Sequence, residues 1–251
     1  MNNDLVSRVD AYVEDVGEDV VADISSVVSH PSIADASLAK DGAPFGPEVR
    51  AALDCALSIA QRLGYQASDD AGYVGIADIP GEREEHIATI AHVDVVPAGP
   101  GWGTDPFSME RREGWLLGRG VIDDKGPAVL SLYAGAFFLR EGITPRYTFR
   151  ALLGCDEEVG MTDVKHYLAG HEQPLFLFTP DAEFPVCNAE KGCFGGTFKS
   201  AKIENGVIRS WSGAEATNAI PSQSECIIAA PLSGLPVPQA NADRITLEDT
   251  G

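Results

Sequence analysis

Four times along this chain a short apolar segment runs straight into carboxylates. "HIATIAHVD" ends in His92 and Asp94, and "GWLLGRGVIDD" ends in Asp123 and Asp124. "FRALLGCDEE" ends in Asp156, Glu157 and Glu158, and "PLFLFTPD" ends in Asp181. Each apolar segment reads as a strand. The nearly continuous run Ile87–Ala91 has the pattern of a strand buried on both faces, hence one in a parallel or mixed sheet. Helical stretches lie between them: Leu5 to around Val28, Pro47 to Leu63 with Gly64 at the capping position, Pro127 to around Arg140, and a short helix from Asp163. Alternating strands and helices predict an α/β domain, a mixed and mostly parallel sheet between helices.

That arrangement constrains chemistry as well as fold. In open α/β sheets, ligands bind in the crevice at the carboxyl ends of the strands, where side chains far apart in sequence converge. One imidazole and four or five carboxylates in a single crevice are electrostatically untenable unless a cation sits among them. Imidazole and carboxylate without thiolate suits Zn²⁺, with Co²⁺ and Mn²⁺ as alternatives; an all-oxygen set would have pointed to Ca²⁺ or Mg²⁺. In His-x-Asp on a strand both side chains share a face, so His92 can ligate through one ring nitrogen while Asp94 accepts from the other. An isolated His-x-Asp is commonly just a buried pair; the three companion clusters favour the metal.

Rival readings of the same residues fail on chemistry. "GRGVID" begins like a dinucleotide loop, but Asp123 stands where the third glycine belongs and would repel a pyrophosphate. A Walker loop needs Gly-Lys-Ser/Thr, and the order here is "DDKGP". Cys155 is a poor nucleophile, because an apolar strand before it and anions after it raise a thiol's pKa. His30, His86, His166 and His171 are expected at the surface, and Trp102 and Trp115 at a rim.

With 18 Lys and Arg against 38 Asp and Glu, the formal charge of −20 excludes nucleic acid and anionic membrane as natural partners. The first residues, "MNNDLVSRVDAYVEDVGEDVV", read as an acidic amphipathic helix rather than a leader, and no apolar run is long enough for a membrane span. Five cysteines, an odd number without a CxxC pair, fit a reducing cytoplasm.

"HVDVVPAG", "GRGVIDDKGP", "GCDEEVGM" and "TPDAEFPVCNAEKG" together resemble the co-catalytic zinc metallopeptidase family of aminoacylases, carboxypeptidases and dipeptidases, nearest its bacterial dipeptidase V (Xaa-His dipeptidase-like) branch. The likeness covers most of residues 1–195. It implies that Asp123 bridges two metal ions, that His92 and Asp181 complete one site, and that Glu158 serves the other. It further implies Glu157 as general base, Asp94 as the residue that orients His92, and a cis peptide after Asp123. "GAEATNAIP" resembles a lid segment whose asparagine, here Asn218, contacts substrate. The implied reaction is hydrolysis of a dipeptide by a water shared between two metal ions, with an N-acyl amino acid as the alternative substrate.

The chain departs from the family after residue 171, where it has no further histidine. The family uses two late histidines, one for the oxyanion and one for the second metal. The expectation is therefore an N-terminal fragment: a catalytic domain over 1–187 lacking its last elements, then part of an α+β lid over 188–251. Such a chain would hold one metal tightly and the other weakly, would expose apolar sheet surface, and would have little activity alone or survive as a non-catalytic metal-binding product. "CFGGTFKSAKIENGVIRSWSG" in the second part reads as strand, turn at Asn205-Gly206, and strand.

Overall fold

A computed structural model of the chain describes residues 3–183, 185–189, 191–192, 194–199, 201, 206–213, 223–231 and 245–248. It divides into two compact units, Met1–Ala189 and Glu190–Gly251. Asn205 and Asn218 lie outside the described residues.

The first unit begins with α1 (Asn3–Val28) and α2 (Pro47–Arg62), followed by the hairpin β1 (Gln66–Asp70) and β2 (Val74–Ile79). Then come β3 (Arg83–His92), the small hairpin β4 (Glu110–Arg112) and β5 (Trp115–Leu117), and α3 (Lys125–Arg140). β6 (Tyr147–Gly154), α4 (Thr162–Gly170) and β7 (Phe176–Phe178) complete it. Five strands form one sheet in the order β1-β2-β6-β3-β7. β6, β3 and β7 are parallel, β2 runs against β6, and β1 against β2, so four strands point one way and only β2 is reversed. This is the mixed, mostly parallel sheet that the sequence predicts. The β1–β2 hairpin is an addition: β1 is polar and largely uncovered, so no apolar alternation marks it. Its three-residue turn, Ala71 to Tyr73, places Ala71 and Gly72 at φ 53° and 78°, and the Tyr73 amide donates to the Asp70 carbonyl at 3.0 Å.

Side-chain parity along the strands sorts the core into two layers. Ala77, Ile79, Ala91, Phe149, Ala151 and Leu153 face α1, α2 and α3. Val74, Ile76, Ala88 and Leu152 face the other way and pack on Tyr167 of α4. Two tyrosines index α3 against its neighbours: Tyr12 Oη on α1 donates to the Tyr133 carbonyl at 2.8 Å, and Tyr65 Oη donates to the Leu132 carbonyl at 2.6 Å. Lys125, the first residue of α3, is wholly buried, and its Nζ donates to the His30 carbonyl at 2.6 Å.

Three of the four histidines expected at the surface are tied into the α4 layer. His86 is buried beside the Tyr167 hydroxyl, 3.4 Å away. His166 stacks on Tyr73 and His171 on Tyr167, and their Nε2 atoms reach the two oxygens of Asp70 at 3.2 and 2.9 Å. Only His86 is buried, by α4 crossing the sheet; His166 and His171 keep about a third of their side chains exposed (37 % and 32 %). At the far edge, β7 pairs with β3 on one side, while Leu175, Phe176, Leu177 and Phe178 are all exposed.

In the second unit β8 (Ile208–Gly213) pairs antiparallel with β9 (Ser224–Ile228). The strand expected before Asn205 is not formed by residues 194–199. The Gly195-Gly196 pair weakens that segment as a strand, and β8 finds its partner downstream instead.

Candidate metal centre

Two strand ends and two loops build the centre. β3 carries His92 to the carboxyl edge of the sheet, and the ring is buried there with 3 % exposure. Its Nε2 lies 3.1 Å from Asp123 Oδ1, 3.5 Å from Asp181 Oδ2 and 3.8 Å from Glu157 Oε2. One ligand atom each from His92, Asp123 and Asp181 falls within 4.8 Å of the others, the one such group among the described residues. Tetrahedral donors about 2.0–2.1 Å from a Zn²⁺ ion are separated by roughly 3.3 Å, so a small displacement of these side chains would admit a divalent ion.

Asp123 and Asp124 sit on the turn between β5 and α3, and the peptide bond joining them is cis, as the resemblance implies. The turn closes tightly, with the Gly126 amide donating to the Gly120 carbonyl at 3.1 Å. A Cβ on Gly126 would stand 2.0 Å from the Val121 carbonyl oxygen, so only glycine allows this approach. Asp124 points inward. Its Oδ2 accepts the His92 amide at 3.1 Å, and its buried Oδ1 has no hydrogen-bond partner. Burial, reinforced by the charge of Asp181, pushes the Asp124 carboxyl up to about 8. The grip of Asp124 on the His92 backbone has no local sequence signature and is visible only in three dimensions.

Asp94 is wholly buried and joins the two halves of the centre. Its carboxylate accepts the Glu157 amide at 3.3 Å and the Glu158 amide at 3.1 Å. His92 Nδ1 lies 2.9 Å from the Asp94 backbone carbonyl and 3.3 Å from the carboxylate. Asp94 therefore meets the ring chiefly through its main chain, and its side chain holds the loop that bears the two glutamates. Glu157 is brought to the His92 ring, whereas the Glu158 side chain is not part of the three-residue group.

The electrostatics show what the cluster lacks. Burial opposes a charged His92, yet hydrogen bonds to Asp123 and Asp94 and the surrounding anions push its imidazole up to about 11. The hydrogen bond from His92 holds the Asp123 carboxyl low against the effect of burial. Burial raises Glu157, with Glu158 and Asp181 adding to it and His92 opposing. Three carboxylates within 3.1 to 3.8 Å of the ring nitrogen make the potential there negative, which favours a divalent cation. The imidazole–carboxylate donors and the orphaned Asp124 oxygen thus fit a metal ion. Cys155, by contrast, is sealed in the core with its thiol pushed well up by burial, which disposes of it as a nucleophile.

Trp102 lines a cleft of about 420 Å³ with Glu110, Arg112 and Leu117, its indole under the Arg119 guanidinium, while Trp115 is largely exposed.

Known proteins share this framework. The chain is 34% identical to YtjP of Bacillus subtilis (strain 168) over 219 residues, 85% of this chain and 47% of that one. It is also 34% identical to the Beta-Ala-Xaa dipeptidase of Lactobacillus delbrueckii subsp. lactis over 217 residues, 84% of this chain and 46% of that one. It therefore spans about half the length of these relatives. Among solved structures, human carnosine dipeptidase 1 matches with a TM-score of 0.54 at 22% identity, over 65% of this chain and 37% of that one. At that identity the likeness speaks for the fold alone. The model of peptidase family M20/M25/M40 matches residues 88–231, a stretch that takes in His92, Asp94, Asp123, Glu157, Glu158 and Asp181, and the chain belongs to that family.

Proposed function

We propose that this chain carries the catalytic centre of a zinc-dependent dipeptidase, with His92, Asp123 and Asp181 holding the first metal ion. The observation that carries the reading is the convergence of these three ligand atoms at the strand ends, with Glu157 Oε2 3.8 Å from the same imidazole nitrogen. A bound divalent ion would supply Lewis acidity, polarising the scissile carbonyl and making a nearby water easier to deprotonate. A second ion, where present, would be held by Asp123 and Glu158. Glu157 takes the proton of the attacking water and hands it to the leaving amine. Its raised pKa moves it toward the neutral range in which a general base also works as an acid. Asp94 and Asp124 keep His92 and the glutamate loop in place. Asn218 is assigned to substrate contact on the sequence resemblance.

A dipeptide is favoured over an N-acyl amino acid because the named relative acts, by its name, on a Beta-Ala-Xaa dipeptide. Cys55, Cys155, Cys187 and Cys226 are free thiols, and no described helix is long and apolar enough to cross a membrane. The free thiols fit a cytoplasmic site of action.

The test is hydrolysis of Ala- and β-Ala-containing dipeptides, with N-acetyl amino acids in parallel, by the Zn²⁺- or Co²⁺-loaded chain. The turnover expected of a chain that spans about half the length of its relatives is low; within it dipeptides should be cleaved in preference, and Glu157→Ala should bring it to the protein-free level while metal content stays at the wild-type level. Undiminished turnover in Glu157→Ala removes the base assignment. Failure of the wild-type chain to take up either metal refutes the centre as a whole.

A further inference from the structure

Glu157 and Glu158 lie on a loop, between the end of β6 and the start of α4, where neither strand nor helix fixes their position. The hydrogen bonds around them show what does. Asp163, in the first turn of α4, is a buried carboxylate with 1 % exposure. Its Oδ2 accepts the Cys155 amide at 2.7 Å and the Asp156 amide at 3.0 Å, and its Oδ1 accepts the Val164 amide at 2.7 Å. Asp156 closes the loop from the other side. Its Oδ2 accepts from the Thr162 amide at 3.0 Å and the Thr162 hydroxyl at 2.5 Å, while its carbonyl receives the Gly160 and Met161 amides. Gly154 makes room for this, since a Cβ there would stand 2.7 Å from Asp163 Oδ2.

The amides of four consecutive residues are thus parcelled between two buried carboxylates. Those of 155 and 156 go to Asp163, and those of 157 and 158 go to Asp94. We propose that Asp163 is a positioning residue for Glu157 and Glu158: by fixing the chain where it leaves β6, it delivers the next two amides to Asp94 and turns both glutamates toward the metal centre. The inference rests on the metallohydrolase reading only for its consequence; the clamp itself stands on geometry. Asp163 touches neither substrate nor metal in this scheme and acts through the backbone. Its loss would strand three amides in a buried place, each a costly orphan, and the loop would relax away from β3.

The experiment compares the full ¹⁵N-labelled chain with Asp163→Ala, which removes both acceptor oxygens; an asparagine could keep its one oxygen where the Cys155 and Asp156 amides converge. Gly154→Ala, whose methyl group displaces the same carboxylate from outside, serves as an independent second perturbation should Asp163→Ala fold poorly. Amide hydrogen exchange at Glu157 and Glu158 should accelerate by about tenfold or more in either variant, while amides in α2 and β2 keep their wild-type rates. In Co²⁺ titrations, the affinity that depends on His92 should be unchanged. The share of binding that Glu158→Ala abolishes should weaken by about tenfold. Wild-type exchange at Glu157 and Glu158 in a folded variant overturns the proposal. So does a uniform acceleration across α2 and β2, which would make Asp163 a general stability residue. A wild-type chain that binds no Co²⁺ leaves the exchange result to judge the clamp and defeats the metal reading instead.

Discussion

Replacing Asp94 separates two ways of holding the metal-facing imidazole. The carboxylate accepts two amides from the glutamate loop, at 3.3 and 3.1 Å, and lies 3.3 Å from His92 Nδ1, while the backbone carbonyl of the same residue is nearer to that nitrogen at 2.9 Å. Asp94→Ala therefore deletes the acceptor of both amides but leaves the carbonyl behind the ring. The two amides are part-buried, so losing their acceptors should cost less than the full penalty for buried groups, about 1–3 kcal/mol for the pair. The buried Lys125, which burial pushes down to about 8 and Asp94 holds up, loses its nearest counter-charge and adds to that loss. A melting temperature falling by about 2–4 °C for each kcal/mol converts this into a readily measured shift. Removing a residue that supports a metal-ligating histidine commonly weakens metal binding about 10–100-fold, and the surviving carbonyl places Asp94→Ala at the low end. Asp94→Asn keeps one acceptor oxygen and should recover about half of the stability loss. The assay is a thermal melt beside a Co²⁺ titration followed by visible absorption, with His92→Ala as the reference for full loss. An Asp94→Ala protein that melts with wild type yet binds Co²⁺ as poorly as His92→Ala would refute the reasoning. The carboxylate, and not the carbonyl, would then be orienting the ring.

Two further outcomes follow from the packing. His86 lies below its ordinary 6.5, through burial first and the Arg150 charge second, with Asp78 and Glu172 opposing and His171 adding to the depression. Its neutral form is favoured in the folded chain, so its contribution is complete above about 6.5 and is lost as the pH falls through the depressed value. Urea midpoints measured at about pH 7 and about pH 5 should therefore fall further in wild type than in His86→Gln, and equal falls would sink this account. Gly126→Ala should lower stability by about 1–3 kcal/mol or more, because its methyl group meets a backbone oxygen that cannot step aside. It should also weaken Co²⁺ binding by shifting the Asp123–Asp124 turn. Gly170→Ala, with open space around the new methyl, is the control, and matching behaviour of the two variants would contradict the close approach.

Much of this was legible in the amino-acid order because the informative pattern is local. A buried strand that stops at polar residues announces both the strand and the rim for His92 on β3 and Glu157 after β6, whereas Asp123 follows a hairpin outside the main sheet and Asp181 an exposed edge strand. β1 was hidden because Gln66–Asp70 is polar and its turn uses Ala71 in a left-handed conformation that few sequences declare. The burial of His86 is not legible in sequence because Tyr167 of α4 is brought against it from across the sheet, whereas His166 and His171 stay part-exposed and outside the metal group, as expected. Asp124 and Asp163 escaped notice for a related reason. A carboxylate that serves the backbone several residues away looks, in sequence, like any other acid, and here acids are plentiful.

The three proposed ligands differ in how firmly their carriers are held. His92 ends a strand flanked on both sides, and Asp123 enters a helix that two tyrosine hydroxyls keep from sliding. Asp181 follows a three-residue strand hydrogen-bonded along one side and bare on both faces. Two arms of the caliper are thus fixed and one is adjustable. A change in ionic radius between one divalent metal and another would be absorbed by the travel of Asp181, with the imidazole and the first aspartate staying where the core has set them.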